Sequence, residues 1–195
     1  IDYYQSIDPE DKEKREEVIQ KTKIAIEKSI SIINGILLNF TVDKVDLKKR
    51  DLLKIVEMSL EHLQVKVEEK KASVILDLKA KELICNDVSM YQVFTNLIGN
   101  SLKYSKDGDV EIKISSFKNE KGTFIQISDN GVGIEKNKIQ STFNLKSRDE
   151  TDSFNVGGHG IGLNIVQNLV KENNGKIEVK SEPGEGTSFT LIFPK

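Results

Sequence analysis

The chain has 195 residues, 37% of them apolar and 31% charged, enough for one well-buried core with a small appendage. A formal charge of -2 gives no electrostatic basis for holding nucleic acid. No run reaches the roughly 18 apolar residues that cross a bilayer, and the lone cysteine, Cys85, rules out an internal disulfide.

Cys85 reads as a small, inert, buried hydrophobe in a reducing compartment, so the expected location is cytoplasmic. The chain opens on Ile1 without a signal peptide or initiator methionine, which reads as a piece of a longer protein. Asp8 caps a first helix, with Pro9 at its opening position and acidic residues in its first turn. Beyond it Ile26, Ile30, Ile33, Leu37 and Phe40 recur at spacings of four, three, four and three, an a/d seam for packing on another helix. The run EDKEKREE forms its solvated face. The polar TVDKVD breaks this period near residue 44, dividing the chain into segments 1–44 and 45–195.

Asp46 is read as the cap of a second helix, with Leu53, Val56, Leu60, Leu63 and Val67 on one stripe. SVILDLKA then alternates as a strand, Val74, Leu76 and Leu78 sharing a face. A helix over about 87–105 follows, then strands near 109–117 and 122–129, a turn-rich middle and a helix near 160–173. A hairpin turning at EPGEG closes the chain. Residues 143–158 are polar, lack periodicity and read as a mobile lid. The expected fold class is α/β, an α+β sandwich: a mixed, largely antiparallel sheet covered on one face by helices, preceded by a long coiled-coil-like N-terminal helix.

Three stretches carry chemistry. In NLIGNSLKYS, Asn96, Asn100, Lys103 and Tyr104 fall at helical offsets of zero, four, seven and eight, one continuous stripe. Two amides, an ammonium and a phenol are costly to bury in a core. They suit a face that meets a polyphosphate and a magnesium ion, because hard cations take oxygen ligands such as amide carbonyls. Taken alone, the stripe reads equally as a polar outer face. In ISDNGVGI a strand ends at Asp129, and Gly131 and Gly133 allow positive φ or close backbone approach. The Asp129 carboxylate can accept from an exocyclic amine such as that of adenine; taken alone, the stretch is also a tight turn. In GGHGIGLNIV, Gly158, Gly160 and Gly162 open a helix and bare N–H groups at the positive end of its dipole, which favours phosphate. The pattern G-x-x-x-x-G-K-[ST] is missing, G-x-G-x-x-G fails at Leu163, and the protein-kinase signature set does not occur.

In this order and spacing the stretches resemble the catalytic ATP-binding domain of bacterial sensor histidine kinases, a branch of the superfamily shared with gyrase, the mismatch-repair ATPase and the large heat-shock chaperone. NLIGNSLKYS resembles the asparagine box, DNGVGI the first glycine box, GHGIGL the second and GEGTSF the last. VIQKTKIAIEKSISIINGILLNF is similar to the second helix of the family's dimerisation hairpin, so the resemblance covers residues 10–195. It implies ATP and Mg2+ as cofactors, with Asn100 on the metal, Asn96 positioning metal and phosphates, Lys103 on phosphate and Tyr104 lining the pocket. Asp129 would read adenine, with Gly131, Gly133 and Ile134 beside it and Thr187 near the base. The backbone amides of Gly158, His159, Gly160, Ile161, Gly162 and Leu163 would hold the phosphates. Phe143 and Arg148 match the phenylalanine box of the lid, Arg148 as a nucleotide contact. Lys146 departs from the pattern, standing where the family usually has a second aromatic. The implied partners are a response regulator receiver domain and a second copy of the chain, paired through the N-terminal helix.

Asn96 separates the branches of that superfamily. Its ATPases hold a glutamate there as general base, and an amide cannot take a proton. The site therefore suits presenting the γ-phosphate to an external nucleophile better than hydrolysing it. His62 lies off the Leu60/Leu63 stripe and reads as a surface residue. His159 is at most a nucleotide contact, with no second His or Cys nearby to make a metal site. The resemblance puts the phosphoacceptor histidine outside this chain, which is expected to bind ATP without phosphorylating itself. Two other readings stay open: an anti-sigma-factor-type serine kinase, which the long helix over 10–40 opposes, and a non-catalytic binding or scaffold module of the same fold.

Overall fold

The computed structural model describes residues 14–19, 21, 22, 25, 46–139, 142 and 161–195. Near the N-terminus, residues 14–19, 21, 22 and 25 are helical, and Lys21 pairs with Glu17 one turn earlier at 2.6 Å. Both side chains face water, so this pair adds little stability. The Asp8 cap, the Ile26–Phe40 seam, the boundary near 44 and the lid over 143–158 lie outside the described residues. From Asp46 onward the described residues belong to one compact unit.

Asp51, not Asp46, starts the second helix. Its Oδ1 accepts the N–H groups of Leu53 at 2.9 Å and Lys54 at 3.4 Å, capping α1 (Leu52–His62). Asp46 instead pairs with Lys48 at 2.5 Å, ahead of a short strand β1 (Lys48–Asp51). Moving the cap shifts the buried stripe: Leu52, Ile55, Val56, Ser59 and Leu63 are buried, whereas Leu53 is 41% exposed. The helix ends at Leu63, and α2 (Gln64–Glu69) follows with Val67 half-buried.

Next come β2 (Ser73–Leu78), β3 (Glu82–Cys85) and α3 (Asp87–Lys103). They are followed by β4 (Glu111–Asn119), β5 (Gly122–Asp129), a short α4 (Lys136–Ile139), α5 (Ile161–Glu172), β6 (Lys176–Glu182) and β7 (Gly186–Pro194). The main sheet runs β2-β4-β5-β7-β6; β2 and β4 are parallel and every other neighbouring pair is antiparallel. The mixed, largely antiparallel sheet expected from sequence is therefore present. β1 and β3 form a separate antiparallel pair from Lys48 opposite Cys85 to Asp51 opposite Glu82. β2 is an edge strand, and the expected Val74/Leu76/Leu78 face is only partly covered, with Leu76 38% exposed.

Helix α3 lies between α1 and α5 and packs on β5. Its apolar face, Met90, Val93, Phe94, Leu97, Ile98 and Leu102, is buried. So are Ile112, Ile114, Ile125, Ile127 and Leu191 of the sheet. Each such side chain contributes roughly 1.5–3 kcal/mol of hydrophobic stabilisation. The other sheet face carries Phe117, stacked on Phe124 with ring centroids 4.8 Å apart. Asn173 ties the end of α5 to the start of α3: its Oδ1 accepts Asn86 N–H at 2.7 Å and its Nδ2 donates to Leu169 O at 2.8 Å. Among the described residues no helix is long and apolar enough to cross a membrane.

Candidate functional site

Asn96, Asn100 and Lys103 share a half-buried face of α3, and Tyr104 ends the helix. The Asn96 Nδ2 donates to Gln92 O at 2.8 Å, which anchors one end of the amide and leaves Oδ1 to point elsewhere. The start of α5 meets it there: a Cβ at Gly162 would lie 3.0 Å from Asn96 Oδ1. The Asn100 amide makes no hydrogen bond with another described residue. The Lys103 ammonium sits 5.5 Å from the centroid of the Tyr104 ring, within range of a cation–π attraction.

Asp129 ends β5, the central strand. Its Oδ1 accepts the N–H groups of Gly131 at 3.0 Å and Thr187 at 3.2 Å, and its Oδ2 accepts the Ser101 hydroxyl at 2.8 Å. The turn after it is pressed against the end of α3. Val132 N–H donates to Tyr104 O at 3.0 Å, and a Cβ at Gly131 would stand 2.6 Å from the same oxygen. Gly133 has φ of +73°, and a Cβ there would come 2.0 Å from Glu182 O, so both backbone geometry and space require glycine.

The β6–β7 hairpin closes the far side. Thr187 pairs with Asp129 across the β5–β7 ladder. Its hydroxyl lies 2.9 Å from Ser181 Oγ, which accepts Ile134 N–H at 2.7 Å and donates to Gly186 O at 2.8 Å. Lys106 Nζ donates to Gly184 O in the hairpin turn.

The fold thus joins Asn96 to Gly162, Tyr104 to Gly131, Asp129 to Thr187 and Ile134 to Ser181, residues from four separated stretches. Ile161, Gly162 and Leu163 form the opening turn of α5. Phe143, Lys146, Arg148, Gly158, His159 and Gly160 lie outside the described residues. His62 is exposed, as expected, with its ring edge-on to Tyr91 at 6.1 Å. Ser101 and Ser181 were not foreseen as site residues. Ser101 had a readable signal, being the polar member of an otherwise apolar stripe with Leu97, Ile98 and Leu102.

Among the described residues there is no cluster of three or more His, Cys, Asp or Glu that could hold a metal. The oxygen donors on the α3 face are amides. That set suits Mg2+, which takes one or two protein oxygens and completes its shell with water and substrate phosphates, and it does not suit zinc or copper.

Residues 85–195 match the family model described as histidine kinase-, DNA gyrase B-, and HSP90-like ATPase. The chain belongs to this ATPase family. It is 31% identical over 157 residues to the sensor histidine kinase YclK of Bacillus subtilis, covering 79% of this chain and 32% of that protein. It is 40% identical over 107 residues to the sensor protein SrrB of Staphylococcus aureus, covering 54% of this chain and 18% of that one. The chain thus spans a third or less of the length of these curated relatives. Among solved structures, Acinetobacter baumannii histidine kinase AdeS has the same fold, with a TM-score of 0.75 at 20% identity, over 98% of this chain and 89% of that one. The catalytic domain of histidine kinase ThkA superposes with a TM-score of 0.65 at 17% identity, over 76% of this chain and 97% of that one.

Proposed function

We propose that this chain is the Mg-ATP-binding catalytic portion of a two-component sensor histidine kinase. It transfers the ATP γ-phosphate to a histidine outside the chain, for relay to a response regulator receiver domain. Segment 1–44 serves as the second helix of the dimerisation hairpin and pairs with a second copy; segment 45–195 binds nucleotide. The observation that carries the reading is Asn96 on α3, held against the glycine start of α5 with Asp129 at the end of β5. That arrangement offers an amide, but no carboxylate base, where phosphates would lie against bare helix N–H groups. Asn100 and Asn96 would hold Mg2+, which neutralises phosphate charge; Lys103 would add a second positive contact. Asp129, with Thr187 beside it, would take the 6-amino group of adenine.

Calorimetry with ATP, with and without Mg2+, tests the binding half. Asn100→Ala is expected to weaken Mg-ATP binding with little change in urea stability, and unchanged affinity would remove Asn100 from the site. The transfer half is tested with labelled ATP. The isolated chain should remain unlabelled, and adding a chain that carries an acceptor helix should give an acid-labile, alkali-stable label on that helix. Such a label on the isolated chain, lost in His62→Ala, would overturn the reading.

A further inference from the structure

Helix α3 buries one face, and that face is apolar except at Ser101, which is 2% exposed between Ile98 and Leu102. A hydroxyl buried without a partner costs roughly 1–3 kcal/mol, so its position needs a reason. The weak one is a back-bond to Leu97 O at 3.3 Å, to a carbonyl one helical turn earlier. The strong one is the 2.8 Å bond to Asp129 Oδ2, across 28 residues of sequence. An ionised carboxylate offers about four lone-pair sites. Gly131 N–H and Thr187 N–H occupy both on Oδ1, and Ser101 occupies one on Oδ2. Asp129 is half-buried, and among the described residues a single acceptor site on Oδ2 is left over.

The geometry points to Ser101 as a positioning residue for base recognition: by holding Oδ2 it fixes the carboxylate plane and aims the one remaining acceptor site at the 6-substituent of the purine. The inference rests on the proposed adenine-reading role of Asp129. A 6-amino group donates to that site, whereas a 6-oxo group turns lone pairs against it. Without the Ser101 bond the carboxylate keeps its two backbone partners on Oδ1 and swings about them. The distinction between the two bases then shrinks, while the phosphate and metal contacts on the other side of α3 remain.

The test compares ATP with inosine triphosphate, which differs at position 6 and shares the phosphates and the Mg2+ requirement. The ratio of their dissociation constants is measured for the parent, Ser101→Ala, Ser101→Cys and Asp129→Ala. Cysteine fills the same space and donates weakly, so it guards against loss of fold in the alanine variant; urea melts check both. The expected result is a roughly tenfold smaller ATP preference in both Ser101 variants, the size set by one charge-assisted hydrogen bond. If the Ser101 variants weaken both nucleotides equally and keep the ratio, Ser101 is structural and the inference fails. If Asp129→Ala itself keeps the ratio, the base-reading role of Asp129 fails, and this inference with it.

Discussion

Replacing Gly162 by alanine separates the stability of the fold from the precision of the site. Gly162 is the second residue of α5, and its backbone is helical without a left-handed φ. Alanine in a helix is favoured over glycine by roughly 0.5–1 kcal/mol. The new Cβ would lie 3.0 Å from Asn96 Oδ1, a few tenths of an ångström too close. Asn96 cannot retreat freely, because its Nδ2 is tethered to Gln92 O at 2.8 Å. Relief comes from rotating the amide and stretching that bond, which gives up part of a hydrogen bond worth about 1 kcal/mol. Gain and loss nearly cancel, so urea unfolding should place Gly162→Ala within about 1 kcal/mol of the parent. Mg-ATP affinity measured on the same samples should fall by about 1–2 kcal/mol, roughly fivefold to thirtyfold, since the amide is re-aimed. Full affinity in a folded variant would refute the reasoning, because the contact between α3 and α5 would then not set the geometry of the site.

Gly133→Ala should be far more damaging, losing about 3 kcal/mol or more in urea melts, from the φ of +73° and the 2.0 Å approach to Glu182 O together. Asn173→Ala should lose about 1–3 kcal/mol in the same assay, because the half-buried Asn86 N–H loses its acceptor; Mg-ATP affinity should be unchanged. Cys85 is fully buried, and burial, reinforced by the nearby Asp87 and partly offset by Arg50, pushes its thiol from 9.0 up to about 11. Thiol reagents at neutral pH should therefore label the protein only after unfolding. The folded thiol holds its proton more tightly than the unfolded one, so stability should decline as pH rises from about 9 to about 11, by up to roughly 3 kcal/mol. Removal of that decline in Cys85→Ala would confirm its source.

The elements with strong periodicity were legible in the sequence, and those that depend on pairing were not. Helix α3 and the closing hairpin carry their patterns in single runs long enough to count. β1 is the run KKRD, with no apolar alternation, and exists through its ladder to β3. That hidden strand displaced the cap from Asp46 to Asp51 and turned the stripe of α1 by one residue, so that Leu52 is buried where Leu53 was expected. Asp129, Gly131 and Gly133 stood out because glycines and a lone carboxylate are conspicuous near a strand end, whereas Thr187 entered only through the family resemblance. Ser181 did not, because a serine alternating within a strand looks like any solvent-facing position until the opposite strand brings Thr187 beside it.

Placing the β5–β7 ladder at the centre of the sheet also orders the assembly of the protein. β4 and β5 are joined through two residues, and β6 and β7 through a short turn, so each hairpin forms from local contacts. Asp129 and Thr187 are separated by 58 residues, and their bond requires closing that whole loop. The seam between the hairpins is thus the expected last step of folding, and it carries Asp129 and Thr187, the proposed contacts for the base. A nucleotide gripped there has nothing to hold in the transition state. It should slow the unfolding of the finished protein in proportion to its binding and leave the refolding rate as it was.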